Sequence, residues 1–217
     1  MKEMPPPEWL ERANRLALTA RLLSSTVHDV NNALQVIAGS VELLQMAPAA
    51  NEMVQRRITA IDTQAKRASR LLQDLTEFVR DARSLAEPIE LKALAEQVLA
   101  SRHYAVTKLR ITAAVEGEAV RINANPKHVQ QILLNLLVNA EDAKCSTLVI
   151  RVGKEGDQAV VIVENNAGNP EPGTGNRENL GIGLEVSEWL AQKNGGTVTF
   201  EPAADGSRAK FSLPASS

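Results

Sequence analysis

Two neighbouring stretches of the chain carry apolar residues at alternating spacings of four and three. In the first stretch these residues are Leu23, Val27, Val30, Leu34, Ile37, Val41 and Leu44, and in the second they are Val54, Ile58, Ile61, Ala65, Ala68, Leu72, Leu75 and Val79. Such spacing is the pattern with which helices pack along a narrow apolar seam. The connector around Pro48 is short and contains a helix breaker, so we expect the two helices to fold back as an antiparallel hairpin.

This hairpin is too small to be stable by itself, because two helices bury little apolar surface. A second copy of the chain is the simplest source of the missing surface. The seam therefore predicts a homodimer in which four helices form a bundle.

The pattern changes near residues 84–88, where we place a domain boundary between residues 1–84 and 85–217. Helices are predicted at 91–100, 126–143 and 183–193, strands at 109–115, 119–122, 147–152, 158–163, 197–200 and 209–213, and a polar loop at 165–179. Asn125 followed by Pro126 is a strong start signal for the middle helix. This mixture is typical of an α+β fold, here an α/β two-layer sandwich with helices on one face of a sheet.

Composition argues against several classes of protein. The net charge of −2, from 24 basic and 26 acidic residues, does not favour a nucleic-acid-binding protein. No segment approaches the roughly 20 apolar residues of a membrane span, and no apolar run follows the charged N-terminus as in a signal peptide. The single cysteine, Cys145, has no intrachain disulfide partner, which agrees with a reducing compartment. We therefore expect a cytoplasmic protein that does not insert into membranes.

His28 follows the seam residue Val27, so its side chain is predicted to point away from the seam toward solvent. Asp29 is its neighbour, and Asn32 lies one helical turn later on the same face. A neutral imidazole nitrogen attacks the terminal phosphate of ATP when a carboxylate, here Asp29, holds the proton of the other nitrogen. Asn32 is placed to position a water molecule for the reverse hydrolysis. The alternative is an ordinary solvated surface histidine.

The other two histidines, His103 and His128, have no comparable neighbours, and both are predicted to be surface residues. His103 lies in a polar, loop-like stretch, and His128 lies in the first turn of a predicted helix. The three histidines and one cysteine do not have the spacing of metal ligands.

Asn135 and Asn139 lie one helical turn apart in a predicted helix that is otherwise rich in leucine. Amides beside an apolar wall are costly unless they find ligands, and amide oxygens suit Mg²⁺ that is also bound to nucleotide phosphates. The alternative is that the two residues mark the solvent face of the helix.

Two glycine-containing segments complete the candidate site. Gly181 and Gly183 open a predicted helix, where closely spaced backbone amides approach phosphate oxygens and the helix dipole favours negative charge. Glu164 directly follows the predicted strand 158–163, where a carboxylate could accept a hydrogen bond from an adenine amino group, and Gly168 leaves room for the ring. Taken alone, each segment also fits a simple tight turn.

In this order and spacing, the four clusters resemble the catalytic core of a two-component sensor histidine kinase. The phospho-acceptor box of that family begins with His-Glu or His-Asp and carries Asn or Thr four residues later, as His28, Asp29 and Asn32 do. The asparagine box Asn-Leu-x-x-Asn-Ala matches at 135–140 without gaps. The two glycine boxes match at 164–170 and at 181–184, so the resemblance covers roughly residues 15–213.

The resemblance implies a dimerisation and histidine-phosphotransfer hairpin at 1–84, and at 85–217 an ATP-binding domain like those of gyrase and the Hsp90 chaperone. His28 would accept the γ-phosphoryl group of ATP, with Asp29 as its base. Asn139, together with Asn135, would hold Mg²⁺. The remaining residues implied in nucleotide binding are Lys144, Glu164, Gly168, Gly181, Gly183 and Leu184. Phosphohistidine would then pass its phosphoryl group to an aspartate in the receiver domain of a response regulator.

The chain departs from the family pattern at several positions. Glu164 replaces the usual Asp, Asn166 replaces a Gly, Ala33 replaces a Pro, and Lys144 substitutes for a basic residue that usually lies two positions earlier. The sequence also has no sensor module, so it is either a fragment or a kinase fed by a separate sensor protein. These departures keep a second hypothesis open, a histidine phosphotransferase or phosphatase whose second domain no longer binds ATP. A third hypothesis is a non-catalytic dimeric adaptor.

Overall fold

The structure is a computed structural model that describes residues 8–45, 52–79, 85–167, 181–203 and 206–216. The chain forms two compact units. We call Thr19–Arg80 the helical unit, and Met1–Leu18 together with Asp81–Ser217 the sandwich unit. The first 18 residues therefore group with the second half of the chain, whereas the sequence pattern placed all of residues 1–84 in one domain. The connector around Pro48, Gly168 and most of the predicted loop lie outside the described residues.

Two long helices confirm the predicted helical region. Helix α1 spans Glu8–Gln45 and helix α2 spans Glu52–Val79. Within the helical unit the buried positions of α1 include Leu22, Thr26, Ala33 and Ser40. Each of these buried residues is followed directly by a residue of the predicted seam. Those seam residues remain 39–51% exposed, and they are Leu23, Val27, Leu34 and Val41. Within one copy, α1 therefore buries a stripe of mostly small side chains, which allow other parts of the chain to approach the helix closely. The larger apolar side chains of the seam stay exposed.

The sandwich unit contains a mixed five-stranded sheet with the strand order β2-β4-β5-β7-β6. Its strands are β2 Thr112–Gly117, β4 Thr147–Glu155, β5 Gln158–Asn165, β6 Thr197–Ala203 and β7 Gly206–Pro214. Strand β2 is parallel to β4, and the other neighbours are antiparallel. A separate antiparallel pair joins β1 Glu87–Glu90 to β3 Arg121–Ala124.

In the described part of the chain, four helices accompany this sheet: α3 Leu91–Ser101, α4 His103–Lys108, α5 Pro126–Asp142 and α6 Gly181–Lys193. Helix α5 packs on α6 and on β5, and α6 packs on β6 and β7. The core lies between helices and sheet, where Ile150, Val161 and Phe211 are almost fully buried. The predicted two-layer α+β arrangement is confirmed.

Local signals located the helix starts well. The side chain of Asn125 caps α5 by accepting a hydrogen bond from the backbone N–H of Lys127 at 3.0 Å, and Pro126 occupies the first turn. Three local predictions were wrong. The strand expected at 109–115 begins at Thr112, because Leu109 still caps the end of helix α4. His103 begins the short helix α4 instead of lying in a loop. The strand expected at 119–122 begins two residues later and pairs with β1, a strand too short to give a clear pattern.

Candidate active site

His28 lies on α1 with its two predicted companions. Its side chain is 41% exposed, and Nδ1 lies 3.1 Å from Asn32 Nδ2 and 3.5 Å from Asp29 Oδ1. The i, i+1 and i+4 positions of a helix place these groups around one ring nitrogen. The imidazole is therefore not packed among aliphatic side chains, and a carboxylate and an amide both face Nδ1.

The neighbours of Nδ1 determine which nitrogen is nucleophilic. If the Asn32 amide donates to Nδ1, the ring proton lies on Nε2. If the Asn32 amide is instead turned by about 180°, so that its oxygen accepts from Nδ1–H, Nε2 carries the lone pair. The carboxylate of Asp29 favours the second arrangement, because an anion near Nδ1 stabilises a proton on that nitrogen. This arrangement makes Nε2 the attacking atom.

Asn135 is buried in the sandwich unit, and its amide binds other parts of the protein. Its Nδ2 donates to the backbone oxygen of Gly183 at 2.9 Å and lies 3.0 Å from Ser187 Oγ, both on α6. The same amide also exchanges hydrogen bonds with Asn14. Asn135 therefore ties α5 to α6, and its polar groups are already satisfied without the predicted Mg²⁺.

Asn139 differs from Asn135 although it lies only one turn further along α5. Its buried Nδ2 has no hydrogen-bond partner among the residues that the structure describes. A buried unpaired amide nitrogen costs about 1–3 kcal/mol, so it is the kind of group that a ligand satisfies. No group of three or more His, Cys, Asp or Glu residues suited to a metal occurs in the described ranges. A magnesium ion bound to the amide oxygen of Asn139 would therefore take most of its other ligands from nucleotide phosphates and water.

Helix α6 begins at Gly181, as the second glycine segment predicted. A Cβ on Gly183 would lie 3.1 Å from Asn135 Oδ1, so glycine at this position allows the two helices to approach. Leu184 is buried and anchors the turn. The first backbone N–H groups of the helix have no intrahelical partners and carry its positive dipole end. This turn combines close packing on α5 with the geometry of a phosphate-binding helix start.

Glu164 does not lie where the sequence analysis placed it. Side chains alternate along a strand, and Val161 and Val163 of β5 face the helices. Glu164 therefore points to the opposite, charged face of the sheet. There its carboxylate pairs with Arg151 and accepts from Arg208 Nε at 2.7 Å. These two ion pairs occupy the carboxylate, and the predicted contact with adenine is not available from this position.

Asn165, one residue later, shares the helix-facing side of β5 with Val161 and Val163. Its Nδ2 donates to Ser207 Oγ at 2.7 Å, and its Oδ1 accepts from the backbone N–H of Ala167 at 3.0 Å. Gly206 lies so close that a Cβ there would be 1.8 Å from the Asn165 backbone oxygen. Asn165 was not among the predicted site residues, although the period-two alternation of β5, continued to its last residue, would have found it.

Asn166 also has a defined role. Its Oδ1 accepts from the backbone N–H groups of Ser146 and Thr147 at 2.9 and 2.8 Å. In the described ranges only Arg110 and Lys144 are non-glycine residues with positive φ, so the replacement of glycine at 166 does not strain the backbone. Lys144 itself has a φ of 58° directly after α5, and its side chain is exposed.

His103 is exposed, as predicted, whereas His128 is partly buried and the prediction for it was wrong. His128 Nδ1 lies 3.0 Å from Asn194 Nδ2. Burial, followed by the charges of Lys193 and Arg15, lowers the pKa of His128 from 6.5 to about 4. The neutral ring belongs to the packing between α5 and α6.

Two protein families match the chain. The His Kinase A (phospho-acceptor) domain matches residues 19–83, and the histidine kinase-, DNA gyrase B- and HSP90-like ATPase matches residues 124–217. The first match contains His28 and the second contains Asn135, Asn139 and α6. Together, the two matches support a two-component histidine kinase catalytic core.

Curated histidine kinases extend this likeness. The signal transduction histidine-protein kinase AtoS of Escherichia coli is 28% identical over 165 residues, which are 73% of this chain and 27% of AtoS. The sensor histidine kinase ZraS of Klebsiella oxytoca is 25% identical over 224 residues, which are 95% of this chain and 48% of ZraS. The chain thus spans about half, or less, of the length of these relatives.

A solved structure shows the same fold. The histidine kinase ThkA, in complex with the response regulator protein TrrA, superposes with a TM-score of 0.52 at 21% identity. The match covers 94% of this chain and 64% of the ThkA chain. In the described ranges, no helix is both long enough and apolar enough to cross a membrane.

Proposed function

We propose that the chain is an ATP-dependent histidine autokinase that passes the phosphoryl group to an aspartate of a response regulator. The observation that carries the proposal is the exposed imidazole of His28, whose Nδ1 faces both Asp29 and Asn32. The ATPase-family match in the same chain supports ATP as the phosphoryl donor.

The chemical step follows from the groups around His28. The Nε2 lone pair attacks the γ-phosphorus, the bond from that phosphorus to the bridging oxygen breaks, and ADP leaves. Asp29 stabilises the positive charge that develops on the ring and takes the Nδ1 proton. Asn32 fixes the ring orientation and, in the reverse direction, is placed to orient a water molecule. The protein mainly positions groups, as is usual in phosphoryl transfer.

The residues that we assign to the nucleotide differ in part from those the sequence suggested. Asn139 would hold Mg²⁺ through its amide oxygen, and when bound the ion neutralises charge on the phosphates. Gly181 and Gly183 would face the phosphates, while Leu184 anchors that turn. We assign the contact with adenine to Asn165 and not to Glu164, because two arginines hold the carboxylate of Glu164 on the other face of the sheet. Lys144 and Gly168 remain candidates.

Two partners follow from the same observations. A second copy of the chain would cover the exposed seam of α1, as in the predicted four-helix bundle. A receiver domain would dock near His28, and the complex of ThkA with the response regulator protein TrrA supports a partner of this kind. Signal input would come from a sensor segment or a separate sensor protein. We place the reaction in the cytoplasm, which cell fractionation would check.

Autophosphorylation tests the proposal directly. The protein is incubated with ATP labelled at the γ-phosphate and with Mg²⁺, and the label is tested for acid and base stability. We expect an acid-labile, base-stable label that disappears in His28→Gln. His103→Gln is the matched control, since His103 is also an exposed helical histidine, and it should retain the label.

A second candidate function is a phosphotransferase or phosphatase that does not use ATP. Asn135 favours it, because this residue of the asparagine box is occupied by contacts within the protein. An unlabelled protein that nevertheless accepts phosphate at His28 from a phosphorylated response regulator would decide for this function. If His28→Gln leaves every partner response intact, the chain is instead an adaptor.

A further inference from the structure

A buried cluster of three amides joins the first turns of α1 to α5. Its members are Asn14, Gln131 and Asn135, whose exposed fractions are 8%, 1% and 2%. All three lie in the sandwich unit, because that unit includes the first 18 residues. Asn135 was a predicted site residue, whereas Asn14 and Gln131 had no predicted role.

Asn14 forms hydrogen bonds with both members on α5. Its Nδ2 donates to Asn135 Oδ1 at 3.0 Å, and its Oδ1 accepts from Gln131 Nε2 at 2.8 Å and from Asn135 Nδ2 at 3.1 Å. Gln131 also reaches the backbone oxygen of Glu11 at 3.4 Å. Without Asn14, the oxygen of Asn135 and a donor of Gln131 would be buried without their present partners, which is the costly case for a polar group.

The cluster continues into the first turn of α6. Asn135 Nδ2 donates to the Gly183 backbone oxygen, and Ser187 Oγ donates to the same oxygen at 2.7 Å. A Cβ on Gly183 would lie 3.6 Å from Asn14 Nδ2, so Asn14 also borders this turn directly. One set of hydrogen bonds therefore runs from α1 through Asn135 to the helix start that we assign to the phosphates.

We infer that Asn14 is a positioning residue for nucleotide binding: it orients Asn135, which in turn holds the first turn of α6 in place for the phosphates. The inference rests on the proposed function. Asn14 reaches that turn from α1, the helix that also carries His28. A rotation of α1 by one residue would present Ala13 or Arg15, and neither side chain offers the donor and the acceptor that Asn14 provides.

Three variants of the full chain test the role of Asn14. Asn14→Leu keeps a similar volume and removes both hydrogen-bonding groups. Asn14→Asp keeps the shape and the acceptor but removes the donor to Asn135. Leu16→Asn is the matched control, since it adds an asparagine at a position of the same helical segment that is 60% exposed.

Three measurements apply to each variant. Calorimetric titration with ATP and Mg²⁺ should show about tenfold weaker binding for Asn14→Leu, as expected when one or two buried hydrogen bonds are lost, and a smaller loss for Asn14→Asp. In autophosphorylation, KM for ATP should rise while kcat changes much less. Hydrogen exchange without nucleotide should be faster at residues 183–187 in Asn14→Leu. Leu16→Asn should match the unmodified protein in all three.

The outcomes separate this inference from the proposed function. If the unmodified protein does not bind ATP, the proposed function fails, but the exchange comparison still decides whether Asn14 holds α6. Unchanged ATP affinity and unchanged exchange in Asn14→Leu would overturn the inference, as would tighter binding. If Asn14→Leu does not fold, Asn14→Asp decides alone. The double variant Asn14→Leu, Gln131→Leu should lose little more ATP affinity than Asn14→Leu alone. Additive losses of affinity would contradict a shared hydrogen-bond network.

Discussion

Neighbouring residues of a strand face opposite environments, and Glu164 and Asn165 illustrate how much this matters. Glu164 is held by Arg151 and Arg208 on the charged face of the sheet. Asn165 binds Ser207 on the helix-facing side. Moving the assignment of a motif by one residue therefore moves it to the other face of the sheet. Here the assignment changes from Glu164, which forms ion pairs, to Asn165, which is a candidate ligand residue.

Substitutions at these two adjacent positions should have different effects. Asn165→Ala removes a polar group from the helix-facing strand end, so we expect about tenfold weaker ATP binding, the cost of a lost hydrogen bond of average to good geometry. Glu164→Gln affects only exposed ion pairs and should change ATP affinity by less than about twofold. Calorimetric titration measures both. Weaker binding in Glu164→Gln with no effect of Asn165→Ala would return the adenine role to Glu164.

His128 should make stability depend on pH. Its pKa is about 4 in the folded protein and 6.5 in the unfolded chain. Between these values the unfolded chain binds a proton that the folded protein does not, so the free energy of unfolding falls as the pH decreases from 6.5 to about 4. Allowing for partial exposure of the ring, we expect a loss of about 1–2 kcal/mol from this group.

Urea unfolding at several pH values between 7 and 4 would measure this loss. His128→Gln should reduce the pH dependence, because it removes the titrating group while keeping a polar side chain beside Asn194. His103→Gln should leave the dependence unchanged, since His103 is exposed. Equal pH profiles for the unmodified protein and His128→Gln would show that other groups cause the loss.

At the scale of the elements, a buried ion pair joins the end of α3 to the end of α5. Arg102 Nε donates to Glu141 Oε1 at 3.0 Å, and the two side chains are 5% and 4% exposed. Arg102 Nη1 is buried without a partner in the described part of the chain. Burying both charges is costly, so the pair fixes how α3 meets α5 more than it adds net stability.

Removing one charge of this pair should be worse than removing both. Glu141→Gln leaves the Arg102 guanidinium buried and unpaired, and we expect a loss of about 3–5 kcal/mol. The double variant Arg102→Met, Glu141→Leu should lose less. Alkylation of the buried Cys145 reports this region, because burial, followed by the charge of Glu141, raises the pKa of its thiol and keeps it unreactive while folded. If Cys145 is alkylated faster in the double variant than in Glu141→Gln, the double variant is the less stable of the two. That result would contradict the expected order of stability.

At the scale of the whole molecule, the uncovered seam of α1 predicts a dimer. Leu23, Val27, Leu34 and Val41 remain substantially exposed in a single copy. Leu34→Glu would place a charge in the proposed bundle and should shift the protein to monomers in sedimentation experiments. Gln35→Glu adds the same charge at the next exposed position and should leave a dimer. A monomeric unmodified protein at all concentrations would exclude the bundle.

Much of the fold follows from short-range patterns in the sequence. The heptad repeats predicted α1 and α2, the cap at Asn125 predicted the start of α5, and the strand alternation predicted most of the sheet. These signals act between residues a few positions apart, so they are present in the chain before it folds. The histidine cluster is local for the same reason, since Asp29 and Asn32 lie within one turn of His28.

What only the tertiary structure decided is which groups meet across the chain. Asn14 lies 117 residues from Gln131 and 121 residues from Asn135, and no local pattern relates them. Likewise, Arg151 and Arg208, which hold the Glu164 carboxylate, come from the two strands that flank β5 only in the folded sheet. The sequence by itself therefore determined the elements and the family, because periodicity and caps are local. The partners of the buried amides depend on how helices and strands pack, and they exist only in the folded protein.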